Sequence, residues 1–169
     1  TGPNDAPVFT GLDATPTFVE KGSAIALDIT VSVSDSELDA LNNGAGNYDG
    51  ASLTLARSVV ANPDDIFGFT PGNDITLVAG ELIKNGKVIA SVDTTAPGQL
   101  VITYTAANGE TPTSADVNAI QRQLTYSNSS DLPPTEVQID WIFDDGNVSD
   151  QGTGGSQLGT GSIAVSITA

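Results

Sequence analysis

Cysteine, methionine and histidine are all missing from this 169-residue chain, and lysine and arginine together number only five. Without cysteine there is no disulfide, so stability must come from a hydrophobic core, for which this length suffices. Zinc–thiolate sites, haem and iron–sulfur ligation, and Cys or His nucleophiles are excluded with the same residues. Against the five bases stand 21 acids, giving a formal charge of −16. Nucleic acids and anionic membranes bind through Lys and Arg that displace counterions, so neither is an expected partner. Self-repulsion of this size opposes compaction unless the medium is salty or a cation is bound. No run is long and apolar enough to cross a bilayer, and no signal peptide is visible. The chain opens on TGPNDAP without an initiator methionine, which reads as a piece of a longer protein.

What is present is mostly period two. AIALDITVSV (24–33) sets Ile25, Leu27, Ile29, Val31 and Val33 on one face; SLTLARSV (52–59) does the same with Leu53 and Leu55. QLVITYT (99–105), EVQIDWIF (136–143) and SIAVSIT (162–168) continue the alternation, with Leu100, Ile102 and Tyr104, then Val137, Ile139, Trp141 and Phe143, then Ile163, Val165 and Ile167 facing inward. Asn85-Gly86 between two apolar runs is a hairpin signal. Short half-buried strands parted by Gly, Pro, Asn and Asp turns imply an all-β fold, an antiparallel β-sandwich. One stretch departs from it. In TSADVNAIQRQLTYS (113–127), Ser114 suits an N-cap and Val117, Ile120 and Leu124 fall at helical spacing, so one short inserted helix is expected there, alongside the extra hairpin. The segments 61–74 and 152–161 read as surface loops. No P-loop and no dinucleotide fingerprint occurs.

The acids are clustered. Asp35, Glu37 and Asp39 follow the alternating Val31 and Val33, and at a strand end residues two apart point the same way. No Lys or Arg lies between Lys21 and Arg57. Crowded carboxylates raise one another's pKa, and a Ca²⁺ ion, which takes six to eight oxygen ligands, removes that penalty. A second acidic knot, FDDGN (143–147), contains Asp144 and Asp145; a third group comprises Asn4, Asp5 and Glu20. Each has a plainer reading as a solvated turn, and Asp64-Asp65 after Pro63 reads as the cap of a helical turn. No EF-hand loop or nonapeptide calcium repeat is present, so a calcium site must be assembled from separate loops.

NDAPVF (4–9), FVEKGSAI (18–25), VSVSDSELDAL (31–41), YDGASLTLAR (48–57), LTYSNSSDLPP (124–134), VQIDWIFDDGN (137–147) and the closing VSITA resemble, in this order, the cadherin-like repeats of giant bacterial RTX adhesins. The resemblance implies an Ig-like sandwich, an inter-repeat linker over residues 1–7 and a single extended domain over 8–169. It also implies calcium at the domain junctions, held by Asn4, Asp5, Glu20, the Asp35, Glu37 and Asp39 group, and Asp144 or Asp145. The domain is longer than an ordinary cadherin repeat, and its helix and extra hairpin fall outside that pattern.

The function these features imply is non-catalytic: an extracellular, calcium-binding linking module on a bacterial cell surface, serving adhesion and biofilm formation. Its partners would be neighbouring domains of the same adhesin. Self-association as a homodimer is a further expectation, mapped to the inserted segments 62–92 and 114–124. The alternative is a calcium-dependent lectin, with Trp141 and Tyr48 as stacking platforms, although Trp141 alternates with core residues. A glycosidase would need paired carboxylates at a defined spacing and an aromatic-lined groove, and aromatics make up only 5% of the chain.

Overall fold

The computed structural model describes residues 2–169; Thr1, the first residue of the expected linker, lies outside them. Thirteen strands and two α-helices follow in the order β1 (Val8–Thr10), β2 (Thr17–Val19), β3 (Ile25–Ala26), β4 (Ser32–Ser34), α1 (Ser36–Ala40), β5 (Ser52–Arg57), β6 (Asp65–Phe69), β7 (Ile75–Val78), β8 (Glu81–Lys84), β9 (Lys87–Asp93), β10 (Gln99–Tyr104), α2 (Ser114–Arg122), β11 (Leu124–Asn128), β12 (Glu136–Asp144) and β13 (Leu158–Thr168).

The larger layer is an eight-stranded sheet in the order β2-β13-β12-β5-β10-β9-β8-β7, antiparallel except where β2 joins β13. Facing it are the three-stranded sheet β3-β11-β6 and the β1–β4 ladder, a β-sandwich. Inward side chains from both layers meet edge to face. Phe9 of β1 packs on Trp141 and Phe143 of β12, and Phe18 of β2 on Tyr126 of β11. Such pairs add about 0.5–1.5 kcal/mol beyond the area they bury. All the residues expected to face inward on β5, β10, β12 and β13 do so.

Four expectations need correction. First, 24–33 is not one strand. The Asp28 carboxylate accepts hydrogen bonds from the backbone N–H groups of Asp13, Ala14 and Thr30 and from the Thr30 hydroxyl. This turn splits the segment into β3 and β4 and throws Ile29 into solvent, 70% exposed. An aspartate that bonds its own backbone offers the chain an alternative to the ladder. Second, DSELD does not prolong a strand. Asp35 caps α1, its Oδ1 accepting from the N–H groups of Glu37 and Leu38, as Asp does well at an N-cap. Third, α2 starts one residue earlier in its cap than expected: Thr113 and Asp116 exchange a capping box, and Ser114 is already helical. Fourth, Asp65 caps no helical turn. It begins β6, a strand inside the 61–74 stretch that read as loop. The 158–161 end of the other expected loop likewise belongs to β13.

The Asn85-Gly86 hairpin forms as expected, joining β8 to β9 with φ of 53° and 74° at the two turn residues, as a type I′ turn demands.

Candidate metal centre

Strand phase carries two of the acids inward. On β12, Val137, Ile139, Trp141 and Phe143 face the core, and the next inward position is Asp145, which is fully buried. Val31 and Val33 are followed in the same phase by Asp35, 2% exposed. Asp144, out of phase, points away and accepts only from the Gly146 N–H at 2.8 Å.

The segment before β1 closes over these two carboxylates. Asn4 is buried; its Nδ2 donates to Asp145 Oδ2 at 2.6 Å and to the Gly155 carbonyl at 3.1 Å. The Asn4 N–H donates to the Thr153 carbonyl, and the Thr153 N–H to that of Gly2. Residues 2–4 are therefore strapped to the 145–157 loop. The Asp5 N–H donates to Glu37 Oε1 at 2.9 Å, which fixes the strap to α1 as well. Two glycines let the 145–157 loop lie close to its neighbours, Gly146 against the segment before β5 and Gly152 against the strap. A Cβ at Gly146 would collide with the Gly50 carbonyl, and one at Gly152 with the carbonyl of Gly2; both residues have positive φ.

Within the loop, Asp145 Oδ1 accepts from the N–H groups of Asn147 and Gln157. Asn147 Nδ2 donates to the carbonyls of Gly152 and Gly155, and Gln151 Nε2 to the Asp145 carbonyl. Neither Asn147 nor Gln151 was anticipated; the only sequence signal was the density of Asx and Gly residues after Phe143.

Two oxygens of this centre have no donor. Asp35 Oδ2 and Asn4 Oδ1 are buried and unpartnered, as is Gln151 Oε1 on the loop. Burial is the main cause that pushes the Asp35 carboxyl up to about 6; the charges of Asp145 and Glu37 add to it, opposed by the N–H groups it caps. Four of the chain's five bases are engaged elsewhere. Arg57 pairs with Asp65, Lys84 with Asp116 and Lys21 with Asp131, while Arg122 donates to the Val31 carbonyl. Leaving a buried acceptor without a donor costs about 1–3 kcal/mol, and an unneutralised carboxylate beside another costs more. An oxygen-seeking cation is the chemical group that fits such atoms. Among the described residues no trio of carboxylates stands close enough to cage an ion by itself. The centre instead joins two buried carboxylates to an amide oxygen, with Glu37 and Asp5 at its rim.

The remaining expected ligands lie apart. Asp39 is taken up by structure: Oδ1 accepts from the Tyr48 and Ser114 hydroxyls, both at 2.6 Å, and Oδ2 from the Asp35 N–H. On a helical turn, residues 35, 37 and 39 do not share a face as they would on a strand. Glu20 stands at the far end, where its N–H donates to the Thr168 carbonyl. The eleven residues of β13 separate that end from the 145–157 loop, about 33 Å at the usual rise. Trp141 and Tyr48, the stacking platforms of the lectin alternative, are completely buried.

No family model and no curated protein matches this chain. Among solved structures it is similar to the sixth cohesin of scaffoldin B from Acetivibrio cellulolyticus, crystallised in complex with a Cel5 dockerin. The match has 12% identity over 99% of both chains and a TM-score of 0.38.

Proposed function

We propose that this chain is a calcium-binding linking module of an extracellular bacterial adhesin, extending or orienting the domains beside it in cell adhesion and biofilm formation. The observation that supports this reading is the base-free centre in which Asn4 bonds Asp145, whose charge reaches Asp35, with one buried oxygen left over on Asn4 and one on Asp35. Asn4, Asp35 and Asp145 would hold the ion, with Glu37 and Asp5 completing its surroundings. Bound there, calcium neutralises the carboxylates and ties the entering strap to the body, which is what a stiff joint requires. Glu20, beside Thr168 at the opposite end, would serve the junction with a different neighbour. An irregular all-oxygen set of mixed carboxylate and amide suits calcium better than magnesium, which demands near-octahedral geometry and keeps its waters.

The test is thermal melting in calcium, in magnesium and in EDTA, with calorimetric titration of the metal-free chain. At a hundredfold excess over its dissociation constant one ion adds about 2.7 kcal/mol. For a domain of this size that corresponds to roughly 5–10 °C in Tm. Magnesium should restore little of the loss. Superimposable melting curves in calcium and EDTA would remove the proposal.

A further inference from the structure

The N-terminal segment and the last strand lie side by side and point the same way. At one end the Asn4 N–H donates to the Thr153 carbonyl, in the loop that leads into β13. Further along, Pro7 passes over Gly159, and Phe9 and Leu12 pass over Gly161. At the other end Thr17, Phe18 and Val19 of β2 pair in parallel with Ser166, Ile167 and Thr168. Residues 4, 7, 12 and 18 thus meet residues 153, 159, 161 and 167 in the same order.

Two glycines of β13 are spent on this closeness. Gly159 and Gly161 fall in the inward phase of Ile163, Val165 and Ile167. Neither has positive φ, so what they supply is room and not a turn. A Cβ at Gly159 would collide with the Pro7 carbonyl, and one at Gly161 with the end of the Leu12 side chain. Glycine inside a strand weakens it and marks a close approach by another segment.

This arrangement decides how tension along the chain is met. Residue 2 is drawn out past the 145–157 loop and residue 169 past the opposite end, so β2 and β13 are pulled in opposite directions along their own axes. Their ladder includes the Ser166 N–H donating to the Pro16 carbonyl at 3.0 Å and the Glu20 N–H to the Thr168 carbonyl at 2.8 Å. On its other side β13 is paired with β12 from Ser166 opposite Glu136 to Leu158 opposite Asp144. Ladder bonds run across the strands, so strands pulled lengthwise load many bonds together. Strands peeled apart from one end load them in turn.

We propose that the fold is a shear clamp that bears tension between the domains on either side of it, an inference that rests on the linking role proposed above. The segment up to β2 and the last strand are loaded lengthwise against each other, and β13 lengthwise against β12. Without cysteine no disulfide can take the load, so these non-covalent ladders carry it. Resistance to force follows the rate of unfolding in the direction pulled, and not the equilibrium stability. The same fold is accordingly strong along its long axis and weak when β13 is peeled from β12.

Single-molecule pulling in two directions tests this. It is done in EDTA, so that its outcome does not depend on whether the metal centre binds calcium. Since the chain has no cysteine, introduced thiols fix the points of attachment. Gly2→Cys with Ala169→Cys loads the clamp lengthwise, and Thr135→Cys with Ala169→Cys draws the start of β12 away from the end of β13; all three positions are exposed. The lengthwise unfolding force should be at least about threefold the peeling force, because bonds that share the load in one direction open singly in the other. Gly159→Ala, which pushes the segment at Pro7 off β13, should lower the lengthwise force and leave the peeling force unchanged. Equal forces in the two directions overturn the proposal. So does a Gly159→Ala variant that weakens both directions in the same proportion.

Discussion

Asp65 and Asp35 are equally deep in this protein, each 2% exposed, and their surroundings are opposites. Asp65 receives Arg57 through two bonds of 2.8 Å, with Asn128 Nδ2 and the Tyr126 hydroxyl on the same carboxylate. Asp35 receives two backbone N–H groups on one oxygen and nothing on the other, and its charged neighbours are Asp145 and Glu37. A buried charge needs a counter-charge, because removal from water costs several kcal/mol that only close partners return. Among five bases the chain assigns one to Asp65 and none to Asp35. The first site is complete with protein atoms alone, and the second keeps one buried oxygen without a partner.

The strongest way to break this contrast is to make Asp65 resemble Asp35. Arg57→Met keeps the apolar stem and leaves the carboxylate unpaired, which should cost about 3–5 kcal/mol. The loss should be the same in calcium and in EDTA, as read by chemical denaturation. A loss that calcium reverses would mean the two sites are not distinct.

A smaller effect is expected from the other side. Asp35→Asn and Asp145→Asn each delete a charge that calcium would neutralise, and should weaken calcium binding at least about tenfold by titration calorimetry. Exposed acids in ordinary turns give only screened attraction, so Asp93→Ala and Asp131→Ala should change it little. Equal effects from all four variants would indicate a diffuse counterion atmosphere.

The smallest expected effect is on pH dependence. The Asp35 carboxyl is raised from 3.8 to about 6 by burial first and by Asp145 and Glu37 after it. Because its folded value lies above its unfolded one, protonation favours the folded state. The metal-free chain should therefore gain stability as pH falls from 7 through 6 towards 4. Asp35→Asn should flatten that part of the profile. Calcium affinity should move the other way over the same range, since proton and metal compete for one carboxylate. Melting curves between pH 4 and 8, with EDTA and with calcium, separate the two trends.

The strands that form the large sheet's centre were legible because burial on one face imposes period two, and Trp141 could be assigned to the core on phase alone. The same phase points to Asp145 over Asp144 as the inward acid. The turn at Asp28, the helix after Asp35 and the strand at Asp65 were misread for a shared reason. A short acid can cap, turn or pair, and local pattern does not say which. For Asp65 the deciding partner, Arg57, is eight residues away on another strand; for Asp39 the Ser114 hydroxyl comes from 75 residues away.

The sequence by itself determined the class of fold, the inward residues of its main strands, the lack of thiol and imidazole chemistry, and an excess of acid that must be neutralised somewhere. Each of these follows from composition or from near-neighbour spacing along one strand. Only the tertiary structure decided which acids stand together. It sent Glu20 to the far end of β13 and occupied Asp39 with hydroxyls. It also brought Asn4 across 141 residues of chain to Asp145. Those outcomes depend on strand order and on where an irregular loop closes, and the energy of a carboxylate is set by whatever is packed within a few ångströms of it, wherever in the chain that neighbour originates.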